Sequence, residues 1–336
     1  MSPLETVNAF IAALERLDPA VDTLVDASVT VEKIHEDDQF FEGPVWHHGK
    51  DGEFLTFSDL ISNRIDKWDP KTKQVTPYIS NIWKGKDNSN AIAQERNGKK
   101  YVQVGANGET LDSQGRLVFV AMGSGQVVRQ ETGGKLTVLA DKFEGHHLNA
   151  PNDLVIKANG DIYFTDIRAN TKSSDFTPPE GVPHTGVYRI KDGKLELLTK
   201  DLDAPNGIAF SPDEKVLYVN DIRAKKVMRY DVKADGTLAN GAVFIDMNSD
   251  PRPGNPDGMK VDVQGNVWDS GPGGIWIVSP QGKNLGTILT PERLSNLAWG
   301  DADGKTLYTT GGTMVTRIRV KVAGLDRKST RLNSSH

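Results

Sequence analysis

The sequence predicts an all-β fold, a six-bladed β-propeller with a short N-terminal helical appendage, on three observations. A strand–turn–strand unit recurs six times from residue 42 onward, every copy is followed by a further strand, and every copy opens on a polar residue. The copies are GPVWHHGKDGEFLTFSD from Gly43, ETLDSQGRLVFVA from Glu109, NDLVIKANGDIYFTD from Asn152, NGIAFSPDEKVLYVND from Asn206, DGMKVDVQGNVWDSG from Asp257 and NLAWGDADGKTLYTTG from Asn296. Each pairs alternating apolar residues with an Asn/Asp/Gln-Gly or Asp-Glu-Lys turn, which is the signature of a β-hairpin. The opening residues Glu42, Asn107, Asn152, Asn206, Asp257 and Asn296 are 65, 45, 54, 51 and 39 apart. Periods of roughly 40–50 residues with several strands per unit indicate propeller blades. A pair of β-sandwiches is the alternative, and it leaves the recurrent polar opening unexplained.

Taken in order, the first element expected is a helix. Ser2 serves as N-cap, Pro3 lies in the first turn, Glu5 follows the cap by three residues, and Leu4, Val7, Phe10, Ile11, Leu14 and Leu17 share one face until Asp18-Pro19 ends the run. Residues 1–34 are thus assigned to an appendage and 35–323 to the propeller. Residues 324–336 (GLDRKSTRLNSSH) are polar, basic and without alternation, and are expected to be a disordered, non-native tail. The stretch from Arg168 to His184 is long, Pro-rich and without strand pattern, which suggests a lid. Trp46, Trp268, Trp276 and Trp299 fall in strand patterns and are assigned to blade cores. His47-His48 sits in a strand whose alternation sends one ring in and one out.

Composition bounds the function. With 336 residues, 25% charged, no apolar run long enough for a membrane span and a net charge of −5, the chain offers no basic field for nucleic acid or anionic lipid. The expected partner is a small molecule, with no nucleic acid, membrane or protein partner implied. The absence of cysteine excludes thiol nucleophiles and Cys-ligated metals. The N-terminus lacks a signal-peptide order, so a cytoplasmic location is expected, or a periplasmic or secreted one if a leader has been removed. No Gly-x-Ser-x-Gly elbow or His-Glu-x-x-His helix is present.

In a propeller the loop entering each innermost strand lies at one end of the axis, so the six opening residues converge. All six carry oxygen and two are carboxylates. Such a ring suits a hard divalent cation, calcium first and magnesium or manganese behind it, with Glu42 and Asp257 balancing its charge.

The segments FFEGPVW, LNAPNDLVIKANGDIYFTD, PNGIAFSPDEKVLYVND and NPDGMKVDVQGNVW resemble the regucalcin/gluconolactonase (senescence marker protein-like) family of metal-dependent lactonases over residues 35–323. The resemblance implies that the Glu of the EGP motif, the Asn of PNG and the Asp of PDG hold the metal. These are Glu42, Asn206 and Asp257, with Asn152 at the metal or its substrate. It implies hydrolysis of a sugar-acid lactone, zinc as a further possible ion, and Asp257 as candidate base. A metal-bound carboxylate is a weakened base, so Asp153 and His147 are second choices. Asn107, Asn152, Asn296 and His146 are the candidates for substrate contacts. His146-His147 replace the cations many such lactonases carry before this motif, a departure bearing on substrate preference. A phosphotriesterase-like hydrolase and a non-catalytic binding propeller are the alternatives.

Overall fold

The computed structural model describes residues 9–49, 52–85, 92–96, 99–167 and 181–325. Within them the chain forms eight antiparallel sheets: six of four or five strands stand as blades around an axis, and two are two-stranded, Ile92–Arg96 with Lys99–Gln103 and Lys142–Phe143 with His146–His147. The first blade consists of Phe41–Gly49, Gly52–Asp59, Arg64–Trp68 and Val75–Ser80. The second spans 106–140, the third 151–199 and the fourth 205–246, each with four strands in chain order. The fifth is built on 259–289 and the sixth on 296–319. The innermost strands are Phe41–Gly49, Ala106–Leu111, Pro151–Ile156, Pro205–Phe210, Met259–Val261 and Asn296–Gly300. Each touches the next, and the sixth touches the first. The predicted hairpins form where turn chemistry allows. Gly160 adopts φ +96° while its N–H returns to Lys157 O at 2.9 Å, closing the turn of the Asn-Gly copy.

In place of the predicted helical appendage the chain runs as strands from residue 9 onward. Among the described residues the N-terminal segment consists of strands Ala9–Ile11, Leu14–Arg16 and Thr30–Glu36 with one 3-10 turn, Pro19–Thr23. The sixth blade receives only three strands from the C-terminal part of the chain, which leaves the edge of Met314–Arg319 unpaired. Thr30–Glu36 fills that edge antiparallel, with Val31 opposite Ile318 and His35 opposite Val315. Ala9–Ile11 then adds to Thr30–Glu36, and Leu14–Arg16 adds to the outer strand of the fifth blade, with Leu14 opposite Ile288. A short isolated helix is marginal in water, whereas a sheet edge offers a full row of backbone partners. Asp18 does act as a cap, but for the 3-10 turn, where its carboxylate accepts from Ala20 N at 2.8 Å. The proposed cap residues Ser2 to Glu5, most of the suspected lid and the 326–336 tail lie outside the described residues.

Between blades the cores are apolar and aromatic. Trp68 and Trp268 are fully buried, and Trp46 stacks on Tyr308 with ring centroids 5.0 Å apart. Trp276 is buried and Trp299 packs against the core between the fifth and sixth blades. His47 points inward, stacked on Phe54, with Nε2 2.9 Å from Thr56 Oγ1, while His48 turns out to pair with Glu53.

Candidate active site

Glu42, Asn107, Asn152, Asn206, Asp257 and Asn296 are all buried, none exposing more than 7% of its surface. In four blades the innermost strand steps out of register where its opening residue lies: between Glu42 and Val45, Ala106 and Glu109, Pro151 and Leu154, and Pro205 and Ile208. Such bulges re-aim a side chain out of the ladder. The glycine after the opening residue has a separate cause. A Cβ on Gly43 would stand 2.2 Å from Asn107 O, and one on Gly207 would stand 2.2 Å from Asp257 O. Gly108 and Gly258 are equally tight against Asp153 and Asn296. The Glu-Gly, Asn-Gly and Asp-Gly pairs therefore exist because each blade's entry crosses directly over its neighbour's.

A second set of carboxylates holds these entries in place. Asp166, at the end of the second strand of its blade, accepts from Asn149 N at 2.9 Å and Ala150 N at 2.7 Å, just ahead of Asn152. Asp221 does the same for Asp203 N and Ala204 N, ahead of Asn206. In the fifth blade Ser270 Oγ accepts from Asp257 N at 3.0 Å.

Three carboxylates from the first, third and fifth blades meet at the axis. Burial pushes Glu42 well above the ordinary carboxylate range, and the charges of Asp257 and Asp153 push it the same way. Burial raises Asp153 against the pull of Lys260. Burial lifts Asp257 to about 6, opposed by the Arg293 guanidinium and assisted by Asp153. Asn296, from the sixth blade, reaches across with Nδ2 3.4 Å from Asp153 Oδ2. Asn107 Nδ2 faces Met122 Sδ at 3.8 Å, and its Oδ1 is buried without a partner among the described residues. Asn152 is buried in the same ring.

His146-His147 form a two-residue strand paired with Lys142–Phe143. His146 is exposed, while His147 Nδ1 is buried without a hydrogen-bond partner among the described residues. Two cations that the sequence reading missed do reach the ring. Lys260 Nζ is 3.2 Å from Asn296 Oδ1 and 4.0 Å from Asp153 Oδ2, and Arg293 donates to Asp257 Oδ2 at 3.0 Å. A lone Lys in the short innermost strand Met259–Val261 was the available signal for the first; Arg293 lies in a non-repeating loop and gave none.

Beyond the ring, a cavity of about 400 Å³ opens among the later residues of the innermost strands, lined by Trp46, Glu109, Ile156, Phe210, Lys260 and Trp299 among others. Glu42, Asn152, Asn206 and Asp257 do not line it, so Lys260 is the side chain shared between the cavity and the carboxylates. Glu109, pushed up to about 8 by burial, accepts from Thr56 Oγ1 and Ser58 Oγ at 2.8 and 2.7 Å.

Residues 40–313 match the family described as SMP-30/Gluconolactonase/LRE-like region. The chain belongs to this family. It is 31% identical over 324 residues to a gluconolactonase of Zymomonas mobilis, covering 94% of this chain and 88% of that one. Regucalcin of Xenopus laevis is 26% identical, covering 80% of this chain and 82% of its own. Among solved structures, a gluconolactonase from Xanthomonas campestris superposes with a TM-score of 0.77 at 27% identity, covering 94% and 96% of the two chains. Membership in the SMP-30/gluconolactonase family fits the placement of the EGP, N-D, PNG and PDG segments at one end of the axis. Among the described residues no three His, Cys, Asp or Glu side chains form a metal-holding group by themselves. No helix among them is long and apolar enough to cross a membrane.

Proposed function

We propose that the chain is a divalent-cation-dependent lactonase that opens sugar-acid lactones, with the cation held by Glu42, Asn152, Asn206 and Asp257. The observation that carries this reading is the meeting of three buried carboxylates, each raised by burial, at the axis of a chain related to gluconolactonases. A pentonolactonase of Haloferax volcanii, 26% identical, belongs to the same chemical class by name. Like charges in a low-dielectric site repel, and a divalent cation relieves that repulsion more fully than the half-exposed Arg293 does. The donors present are oxygens of carboxylates and amides, which suit calcium first and leave magnesium, manganese and zinc possible. Because the carboxylates alone do not form a cation-holding group, the Asn152 and Asn206 amides complete the set.

A bound cation supplies Lewis-acid polarisation of the lactone carbonyl and stabilises the oxyanion that develops on it. Asp257 is the proposed base and takes a proton from the attacking water; because a bound cation weakens it as a base, Asp153, raised by burial, and His147 are the second choices. As the water oxygen bonds to the carbonyl carbon, the ring C–O bond breaks, and the proton passes to the departing ring oxygen to give a hydroxy acid. Asn296, hydrogen-bonded to Asp153 and Lys260, and Asn107 are the proposed contacts to the sugar hydroxyls. Hydrolysis of glucono-δ-lactone, followed with a pH indicator and corrected for spontaneous opening, tests the proposal. Activity should vanish on chelation and return with one of calcium, magnesium, manganese or zinc; absence of turnover with all four would exclude this reading.

A further inference from the structure

We infer that Arg293 is the resident counter-ion of Asp257 in the cation-free protein and that, once a cation takes Asp257, the freed guanidinium holds the carboxylate of the ring-opened acid. This deepens the cation-dependent lactonase reading and rests on it.

Arg293 reaches in from outside. Its guanidinium donates to Asp257 Oδ2 at 3.0 Å, yet its side chain is 45% exposed, while that of Asp257 is 5% exposed. Its backbone is fixed on both sides. Thr290 Oγ1 donates to Glu292 O at 2.8 Å, and the Glu292 carboxylate accepts from Thr313 N at 3.3 Å. Next along the chain Leu294 is buried, and Gly311 lies so close that a Cβ there would stand 2.4 Å from Arg293 O. The anchor is rigid and the arm is long. Asp257 is its one acidic partner among the described residues. Lys260 differs: its amine is engaged by Met259 O, Asn296 Oδ1 and Asp153, and its side chain is less exposed.

A guanidinium and a divalent cation on one carboxylate repel each other, so each weakens binding of the other. When the cation wins, Arg293 stays at the mouth of the site with its donors unpaired. The reaction creates one group that the lactone lacks, a carboxylate, and a planar guanidinium fork matches it in a two-bond arrangement that an ammonium does not reproduce.

The test uses the full chain stripped of metal and two variants, Arg293→Met and Arg293→Lys. Calcium is titrated calorimetrically without substrate, and gluconate binding is then measured on the loaded proteins at fixed free calcium. Arg293→Met should bind calcium about tenfold tighter and gluconate about tenfold weaker than the parent. Arg293→Lys should fall between in both. Calcium affinity in Arg293→Met equal to or weaker than the parent's overturns the counter-ion role, and unchanged gluconate affinity overturns the carboxylate role. If the parent binds none of the four divalent cations, the cation-site reading fails and this inference with it, an outcome distinct from parent binding that the variant leaves unaltered.

Discussion

A buried carboxylate persists only with partners, and the two sets of aspartates near the axis have partners of different kinds. Asp166 and Asp221 are satisfied by backbone N–H groups of their own blade, so their role is to fix the loops that carry Asn152 and Asn206. Asp166→Ala strands two buried donors, Asn149 N and Ala150 N, and should cost about 2–4 kcal/mol, read as a lowered urea midpoint, together with a fall in turnover from the misplaced Asn152. Asp257 is paired instead with the half-exposed guanidinium of Arg293. Asp257→Asn should keep the fold but lower lactone turnover by roughly 10²–10⁴ at saturating calcium, since it removes both the proposed base and a cation ligand. A rate equal to the parent's would take Asp257 out of the chemistry.

At the scale of elements, what could be read from the sequence was what repeats locally. Hairpins show because side-chain alternation and turn residues lie within a few positions of one another, and the ring at the axis shows because six blades place a polar residue at the same point. The glycines that follow Glu42, Asn107, Asn206 and Asp257 were visible, but their reason was not, because it lies in the neighbouring blade. The N-terminal strand was misread for the same physical cause. Leu4, Val7, Phe10, Ile11, Leu14 and Leu17 satisfy a helical period, while the partner of Leu14 is Ile288 in the fifth blade and that of Glu32 is 285 positions away, where Arg317 clasps it with two bonds of 2.8 and 2.9 Å. Arg293 and Lys260 belong to no repeat and left little trace. Removing residues 1–36 should therefore do more than trim an end: it opens the sixth blade at Met314–Arg319, uncovers Val315 and Ile318, and should yield a chain that aggregates or melts far below the parent. A shortened chain with the parent's melting temperature would show that ring closure does not depend on this strand.

For the whole molecule, stability against pH combines two opposed groups of carboxylates. Carboxylates near the surface with hydrogen-bonded or ionic partners, such as Asp303 held down to about 2 by Arg319, Asp246 and the half-buried Asp250, keep their contribution above the ordinary carboxylate range and lose it as pH falls toward 2. Glu109 and Asp166 act the other way. Burial pushes them to about 8 and about 7, so between about pH 4 and 8 the folded chain binds more protons than the unfolded chain, and stability falls as pH rises through that window. The metal-free protein should thus be most resistant to urea near about pH 4 and lose on the order of a few kcal/mol by about pH 8.5. Calcium bound at the proposed site of Glu42 and Asp257 should add stability by mass action, about 2.7 kcal/mol at a hundredfold excess over its dissociation constant, while leaving the burial of Glu109 and Asp166 unchanged. The urea midpoint of the calcium-loaded protein should therefore lie higher at every pH and still decline on the alkaline side. Glu109→Gln should flatten that decline, because the amide carries no charge to bury between Thr56 and Ser58; an equally steep decline in the variant would show that the alkaline loss arises elsewhere than at Glu109.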